Sequence, residues 1–181
     1  HHVSHPVWFH EQEAFHTMDN MPDWERYIEK VVPIYKDYVD YWIVINEMNI
    51  VFEYSEEERI NMLQYHARGY HIKKYSNAPV SSTLSYSMKE PFRGRYDKAD
   101  CVMADYIDYV ENEFFIHAIK TGEIVMPFHD AVYVPEVKDT CDFWALNTYV
   151  RQFINSRKKA FRFDNYQATH FHALSKPFRS E

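Results

Sequence analysis

Glycine is scarce in this chain of 181 residues, occurring only at Gly69, Gly94 and Gly122. Scattered in this way, the three assemble neither a dinucleotide-binding fingerprint nor a phosphate-binding loop, which removes two large enzyme classes. Cysteine is scarcer still. Cys101 and Cys141 share no close spacing, so neither a cysteine-rich zinc module nor a disulfide framework is expected. Two reduced thiols instead suit an intracellular, cytoplasmic setting. Basic residues are outnumbered, with 20 Lys and Arg against 27 Asp and Glu and a net charge of −7. Phosphate backbones demand clustered Lys and Arg, so a nucleic-acid partner is not expected. The basic cluster Arg157-Lys158-Lys159 with Arg162 is short and reads as a solvated helix face. No apolar run approaches the ~20 residues of a membrane span, and no membrane association is expected. The opening residues, His1-His2-Val3-Ser4-His5-Pro6, resemble no signal peptide.

What is present is an ordinary globular composition, with 46% apolar and 26% charged residues and a high aromatic share of 18%. The length allows one domain with a sizeable core, or part of a larger one. Residues 1–19 read as a loop. From Pro22 a helix is predicted, because proline at the first turn loses nothing by lacking an N–H. Trp24, Tyr27, Ile28, Val31, Tyr35, Tyr38 and Val39 would form its apolar face, and Pro33 would kink or interrupt it. Residues 41–46 follow as a short β-branched and aromatic run without charge, which suits a strand buried on both faces. Ser55 with Glu58 is a capping-box start for a second helix, lined by Ile60, Leu63, Ala67 and Tyr70. A strand is predicted over 80–86 and a third helix over 98–121, with Val102, Tyr106, Val110 and Phe114 inward and Gly122 as C-cap. After a loop from Met126 to Pro135, residues 143–147 form a third buried strand candidate ending in a polar residue. Helices alternating with short apolar strands imply βα units on a parallel sheet, hence an α/β fold. No internal repeat is visible, so a solenoid is not expected.

Chemistry is expected where the first strand ends, at Asn46-Glu47. In barrels of parallel strands the C-terminal strand ends carry the reacting groups. A carboxyl group there serves as an acid only when its surroundings and a second acid raise its pKa; otherwise it is a solvated strand-end carboxylate. The histidines offer less: no HExxH is present, and His170-x-His172 or His66 with His71 lacks a nameable third metal ligand. There is no GxSxG, and neither cysteine sits in a setting that suggests a nucleophile. For any one aromatic residue, packing in the core is the default.

Several motifs in order resemble an internal segment of a family 1 glycoside hydrolase, the retaining β-glucosidase and β-galactosidase-like enzymes. The stretch Val39-Asp40-Tyr41-Trp42-Ile43-Val44-Ile45-Asn46-Glu47 resembles the family's fourth-strand motif, in which Asn-Glu carries the acid/base. His2-Val3-Ser4-His5-Pro6 resembles the end of the third strand, with its sugar-binding histidine. Ala104-Asp105-Tyr106 through Phe114-Phe115-Ile116-His117 and Lys120-Thr121-Gly122 resembles the helix after the fifth strand. Asp142-Phe143-Trp144-Ala145-Leu146-Asn147-Thr148-Tyr149 resembles the sixth-strand motif.

The resemblance implies a partial (β/α)8 barrel of about strands three to six, forming a single incomplete segment over residues 1–181. It implies Glu47 as general acid/base, Asn46 on the sugar's 2-hydroxyl, His2 on the non-reducing sugar and Tyr149 orienting the nucleophile. The partner would be a β-linked glycoside, with no metal or organic cofactor. The family's nucleophile, a glutamate in a Glu-Asn-Gly motif on the seventh strand, has no counterpart between His1 and Glu181. The segment alone is therefore expected to be inactive, and its unpaired strand edges to favour aggregation or self-association as a homo-oligomer. Met48, Val3 and Thr148 stand where the family usually has proline, an aromatic and tyrosine, and the stretch between Glu47 and His66 looks short. These departures favour a rival reading, a non-catalytic relative that binds sugar or protein.

Overall fold

The computed structural model describes residues 5–50, 56–127 and 129–157, together with the backbone of 175–177. The elements are α1 (Val7–Glu11), α2 (Met21–Tyr35), β1 (Trp42–Ile43), α3 (Glu56–Gly69), β2 (Val80–Ser81), β3 (Thr83–Pro91), α4 (Lys98–Asp108), α5 (Phe114–Thr121), β4 (Glu123–Ile124), β5 (Val132–Tyr133), β6 (Ala145–Ile154) and β7 (Ser175–Pro177). A 3-10 turn, Tyr70–Lys74, extends α3, and a π-helical turn, Tyr109–Glu113, joins α4 to α5.

The frame is a parallel α/β arrangement. β1 pairs in parallel with β2, and β3 pairs in parallel with β6. β2 and β3 are one stretch of chain interrupted only at Ser82, whose hydroxyl accepts the Ile45 N–H at 3.2 Å. Backbone bonds carry the first ladder past its named ends: Val44 donates to Ser81, Thr83 to Ile45 and Met48 to Thr83, at 2.8, 3.0 and 3.1 Å. Parallel neighbours need a crossover, and α3 supplies the first while α4, the π turn and α5 supply the second. β7 adds to β6 in antiparallel sense, and β4 with β5 forms a separate hairpin.

α3 is the central helix, with Leu63, Tyr65 and His66 wholly buried. Gly69 is required there, because a Cβ would stand 2.1 Å from Val44 Cγ1 of the first strand segment. Phe15 packs edge-on against Trp24 and Tyr65, with ring centres 5.4 and 4.9 Å apart. The indole N–H of Trp24 donates to the Tyr65 carbonyl at 3.0 Å, so the large rings are buried without orphaning their polar atoms. A second cluster, Met103, Ala104, Ile107, Val110 and Ile154, lies between α4 and the end of β6.

Several expectations are corrected. The first residues contain α1 rather than loop throughout, with Phe9 buried as its anchor. In α2 the buried stripe is Met21, Trp24, Ile28 and Val32, so the apolar face lies one position away from Tyr27, Val31 and Tyr35. Tyr27 and Tyr35 are more than half exposed; aromatic rings with polar tips tolerate the rim, and Tyr27 stacks flat on Trp24. Pro33 sits in the last turn, and the helix closes at Tyr35. Val102 is exposed, because the buried side of α4 runs through Met103, Ala104 and Ile107. The 80–86 strand runs on to Pro91, and the 143–147 strand, expected to be buried, instead begins at Ala145, runs to Ile154 and leaves Trp144 and Leu146 exposed; each strand is sustained by pairing with the other. The loop after Met126 contains β5. The expected cap is present: Gly122 ends α5 at φ 77°, its N–H on the Ala118 carbonyl at 2.8 Å. Ser55, and so the expected capping box, lies outside the described residues.

Candidate active site

The apolar run of β1 ends in a local device rather than in open loop. Glu47 has φ 52°, the left-handed region that a non-glycine residue adopts at a cost of about 1–2 kcal/mol. Such a conformation persists only where the surroundings hold it. Thr83, at the start of β3, is that surrounding: its Oγ1 accepts the Glu47 N–H at 2.6 Å. The same hydroxyl donates to Asn46 Oδ1 at 3.1 Å, and the Thr83 carbonyl accepts from Met48. Asn49 completes the turn, its Nδ2 donating to the carbonyls of Ser85 and Glu111 at 2.9 and 2.7 Å, while its Oδ1 accepts from Ser85 N–H.

From β6, Asn147 faces the same place. In the register of β3 with β6, Ser85 is opposite Asn147, and Thr83 opposite Ala145. Strand alternation then puts Asn147 and Tyr149 on one face. Asn147 Nδ2 donates to Glu47 Oε1 at 3.0 Å and reaches Asn46 Oδ1 at 3.3 Å. The Tyr149 hydroxyl lies beside Glu47, and its interaction with that carboxylate is the main cause of its pKa being held above the usual phenol value. Tyr149 thus stays protonated, and it is 61% exposed. Among the described residues the partners of the Glu47 carboxylate are these two neutral donors, and no cation neutralises it. The carboxyl is half-buried, reachable by solvent and fixed by a neutral donor from a neighbouring strand.

Three of the four expected site residues, Asn46, Glu47 and Tyr149, therefore meet. His2 lies outside the described residues. Tyr149, expected to orient a nucleophile, touches the acid/base candidate itself. Thr83 and Asn147 were not singled out for roles. Asn147 carried a faint signal, a polar residue closing an apolar run; Thr83, inside a Ser/Thr-rich strand, carried none. His66 and His71 are used separately. His66 Nδ1 meets Ser82 Oγ at 2.8 Å, and burial pushes its pKa down to about 4, partly offset by the Thr140 backbone. His71 meets Lys74 Nζ at 3.3 Å. Among the described residues no three His, Cys, Asp or Glu side chains gather as a metal-binding group, and His170 and His172 lie outside them. No helix among the described residues is long and apolar enough to cross a membrane.

The arrangement is that of a parallel α/β protein with a carboxyl group at the end of one strand, flanked by amide and phenol donors from another. Solved structures of similar fold include glycosidases. The chain is similar to a β-glycosidase from Pyrococcus horikoshii at 24% identity, over 86% of this chain and 40% of that one, with a TM-score of 0.70. It is similar to a β-glucosidase from Exiguobacterium marinum at 18% identity, over 99% of this chain and 46% of that one, TM-score 0.71. It is also similar to a family 1 β-glucosidase from Thermotoga maritima at 16% identity, over 84% and 41% of the two chains, TM-score 0.70. The chain thus has the fold of part of these enzymes and spans less than half the length of each. No protein-family model matches it, and no curated protein does.

Proposed function

We propose that this chain is the central part, about strands three to six, of the (β/α)8 barrel of a retaining β-glycosidase, with Glu47 as general acid/base. One observation carries the reading. Asn46-Glu47 and Tyr149, groups that the family resemblance singles out from two separate motifs, gather with Asn147 in one cluster. The part-length likeness to solved glycosidases supports the frame in which that cluster sits.

In the first step, Glu47 protonates the glycosidic oxygen as its bond to the anomeric carbon breaks, while a second glutamate attacks that carbon and forms a glycosyl ester. In the second step, ionised Glu47 takes a proton from water, whose oxygen displaces the ester and releases the sugar. The two carboxyl groups must stand ~5–5.5 Å apart. The second is not in the present sequence, so these 181 residues alone would be inactive. Asn46 Oδ1 is taken by Thr83 and Asn147, which leaves its Nδ2 to donate to the sugar's 2-hydroxyl. His2 would bind the non-reducing sugar. Tyr149, now on Glu47, would orient the nucleophile in the complete protein.

The test uses the full-length polypeptide with β-glycosides of poor and activated leaving groups. Glu47→Gln should lower kcat/KM for an alkyl β-glycoside by ~10²–10⁴-fold and largely spare a dinitrophenyl β-glycoside, which needs no protonation. Equal loss on both would show that Glu47 is not the acid. The rival binding-module reading predicts no turnover of either by the wild-type protein, and no downstream Glu-Asn-Gly motif in the reading frame.

A further inference from the structure

We propose that Thr83 is a positioning residue for Glu47, its hydroxyl holding the acid/base in its left-handed conformation. The inference rests on the reading of Glu47 given above. A threonine hydroxyl has one hydrogen to donate and two lone pairs to accept with. At Thr83 the hydrogen goes to Asn46 Oδ1 and one lone pair takes the Glu47 N–H. The Thr83 carbonyl takes the next amide, that of Met48. One residue thus fastens three consecutive residues, 46 to 48, across the β1–β3 boundary.

The need for it follows from Glu47 itself. At φ 52° a β-carbon crowds the backbone, and glutamate has no short polar side chain that would favour the region by bonding locally. Thr83 Oγ1 is the acceptor that holds the Glu47 N–H, and without it the strained conformation is free to relax. Relaxation would swing the carboxylate away from Asn147, now 3.0 Å distant. The branched Cβ of threonine narrows the hydroxyl's rotamer choice, which a serine would not. Valine has the same shape without the hydroxyl, so it isolates the hydrogen bonds from the packing.

The experiment compares Thr83→Val, Thr83→Ser and Glu47→Gln in the full-length protein on the same two leaving groups. Misplacing a catalytic group by about 1 Å costs on the order of 10²-fold, so Thr83→Val should lower kcat/KM for the alkyl glycoside by that factor. Acting through the proton donor, it should leave the dinitrophenyl glycoside within roughly fivefold, and Thr83→Ser should restore the alkyl rate to within roughly fivefold. Added to Glu47→Gln, Thr83→Val should cost nothing further, because two residues acting as one unit are not additive. Independently of turnover, NMR on protein labelled with ¹⁵N-glutamate should show the Glu47 amide exchanging at least about tenfold faster in Thr83→Val and unchanged in Thr83→Ser.

If Glu47→Gln is leaving-group selective and Thr83→Val is not, the positioning role is overturned and the acid/base assignment stands. If Glu47→Gln is unselective, the acid/base reading falls, and an unaltered Glu47 amide would overturn the Thr83 contact as well. Should Thr83→Val not fold, Thr83→Ala replaces it. Failure of both to fold, with Thr83→Ser folded, makes the hydroxyl a requirement of the fold and overturns the proposal.

Discussion

The pair of strands β3 and β6 carries two polar clusters with opposite characters. Near their beginnings, Thr83 and Asn147 hold Glu47, a carboxylate with neutral donors, partial exposure and a strained backbone. Further along, Lys89 is wholly enclosed and pairs with Glu111 of the π turn, while also donating to Ser87 and Gln152 at 2.5 Å each. Asn112 of the same turn donates to the Ser87 carbonyl at 3.0 Å, next to the irregular register between Tyr86 and Met88. In the second cluster every charge meets its opposite and no water reaches the cation. The difference separates a charge kept available from a charge consumed in holding a helix to a sheet.

That contrast can be broken most forcefully at Lys89. Lys89→Met removes the enclosed cation that pairs with Glu111 and donates to Ser87 and Gln152, and breaking a buried pair in this way costs about 3–5 kcal/mol. Urea unfolding should show the fall, and Lys89→Met combined with Glu111→Leu should recover most of it. Glu47→Gln, in contrast, should leave the unfolding midpoint nearly unchanged. A large loss of stability there would make Glu47 structural.

Acid should weaken the frame through His66. The pKa of His66 is lowered to about 4 when folded, against 6.5 for the free side chain. A depressed folded value means that the unfolded chain takes up the proton first as pH falls. Its contribution is complete above about 6.5 and is lost between there and about 4, at up to about 1.4 kcal/mol per pH unit. Thermal melts over that window should show the slope, and His66→Gln should flatten it.

Gly69→Ala tests whether α3 positions the segment that leads to Glu47. Its Cβ would overlap Val44, so α3 must back away from the first strand, at about 1–3 kcal/mol in denaturant unfolding. The smallest effect is expected at Glu47 itself. Glu47→Gly removes the left-handed strain and should raise stability by up to about 1 kcal/mol while abolishing activity. A protein made more stable by losing its candidate acid would sharpen the contrast with Lys89.

Much of this layout can be read along the chain. Proline at the start of α2, Gly122 at the end of α5 and the uncharged run before Asn46-Glu47 each report a local backbone requirement, and each is met. The resemblance added Tyr149 as a site residue, and it lies on Glu47. Other features escaped for definable reasons. The inward face of α2 was misjudged because tyrosine counts as apolar in a periodicity reading yet sits comfortably at a rim. The lengths of β3 and β6 depend on each other, and neither stretch alone states how far it will find a partner.

Local sequence thus determined the proline start of α2, the glycine end of α5, and that a carboxylate stands just past β1. Those properties depend on backbone dihedrals and on apolar spacing within a few residues. Only the tertiary structure decided what that carboxylate meets. Thr83 lies 36 residues from Glu47 and Asn147 lies 100 away. Their meeting depends on the register of parallel strands, which is set by crossover helices and by the close approach at Gly69. A register shift of one residue would turn Asn147 to the other face and leave Glu47 without its donor.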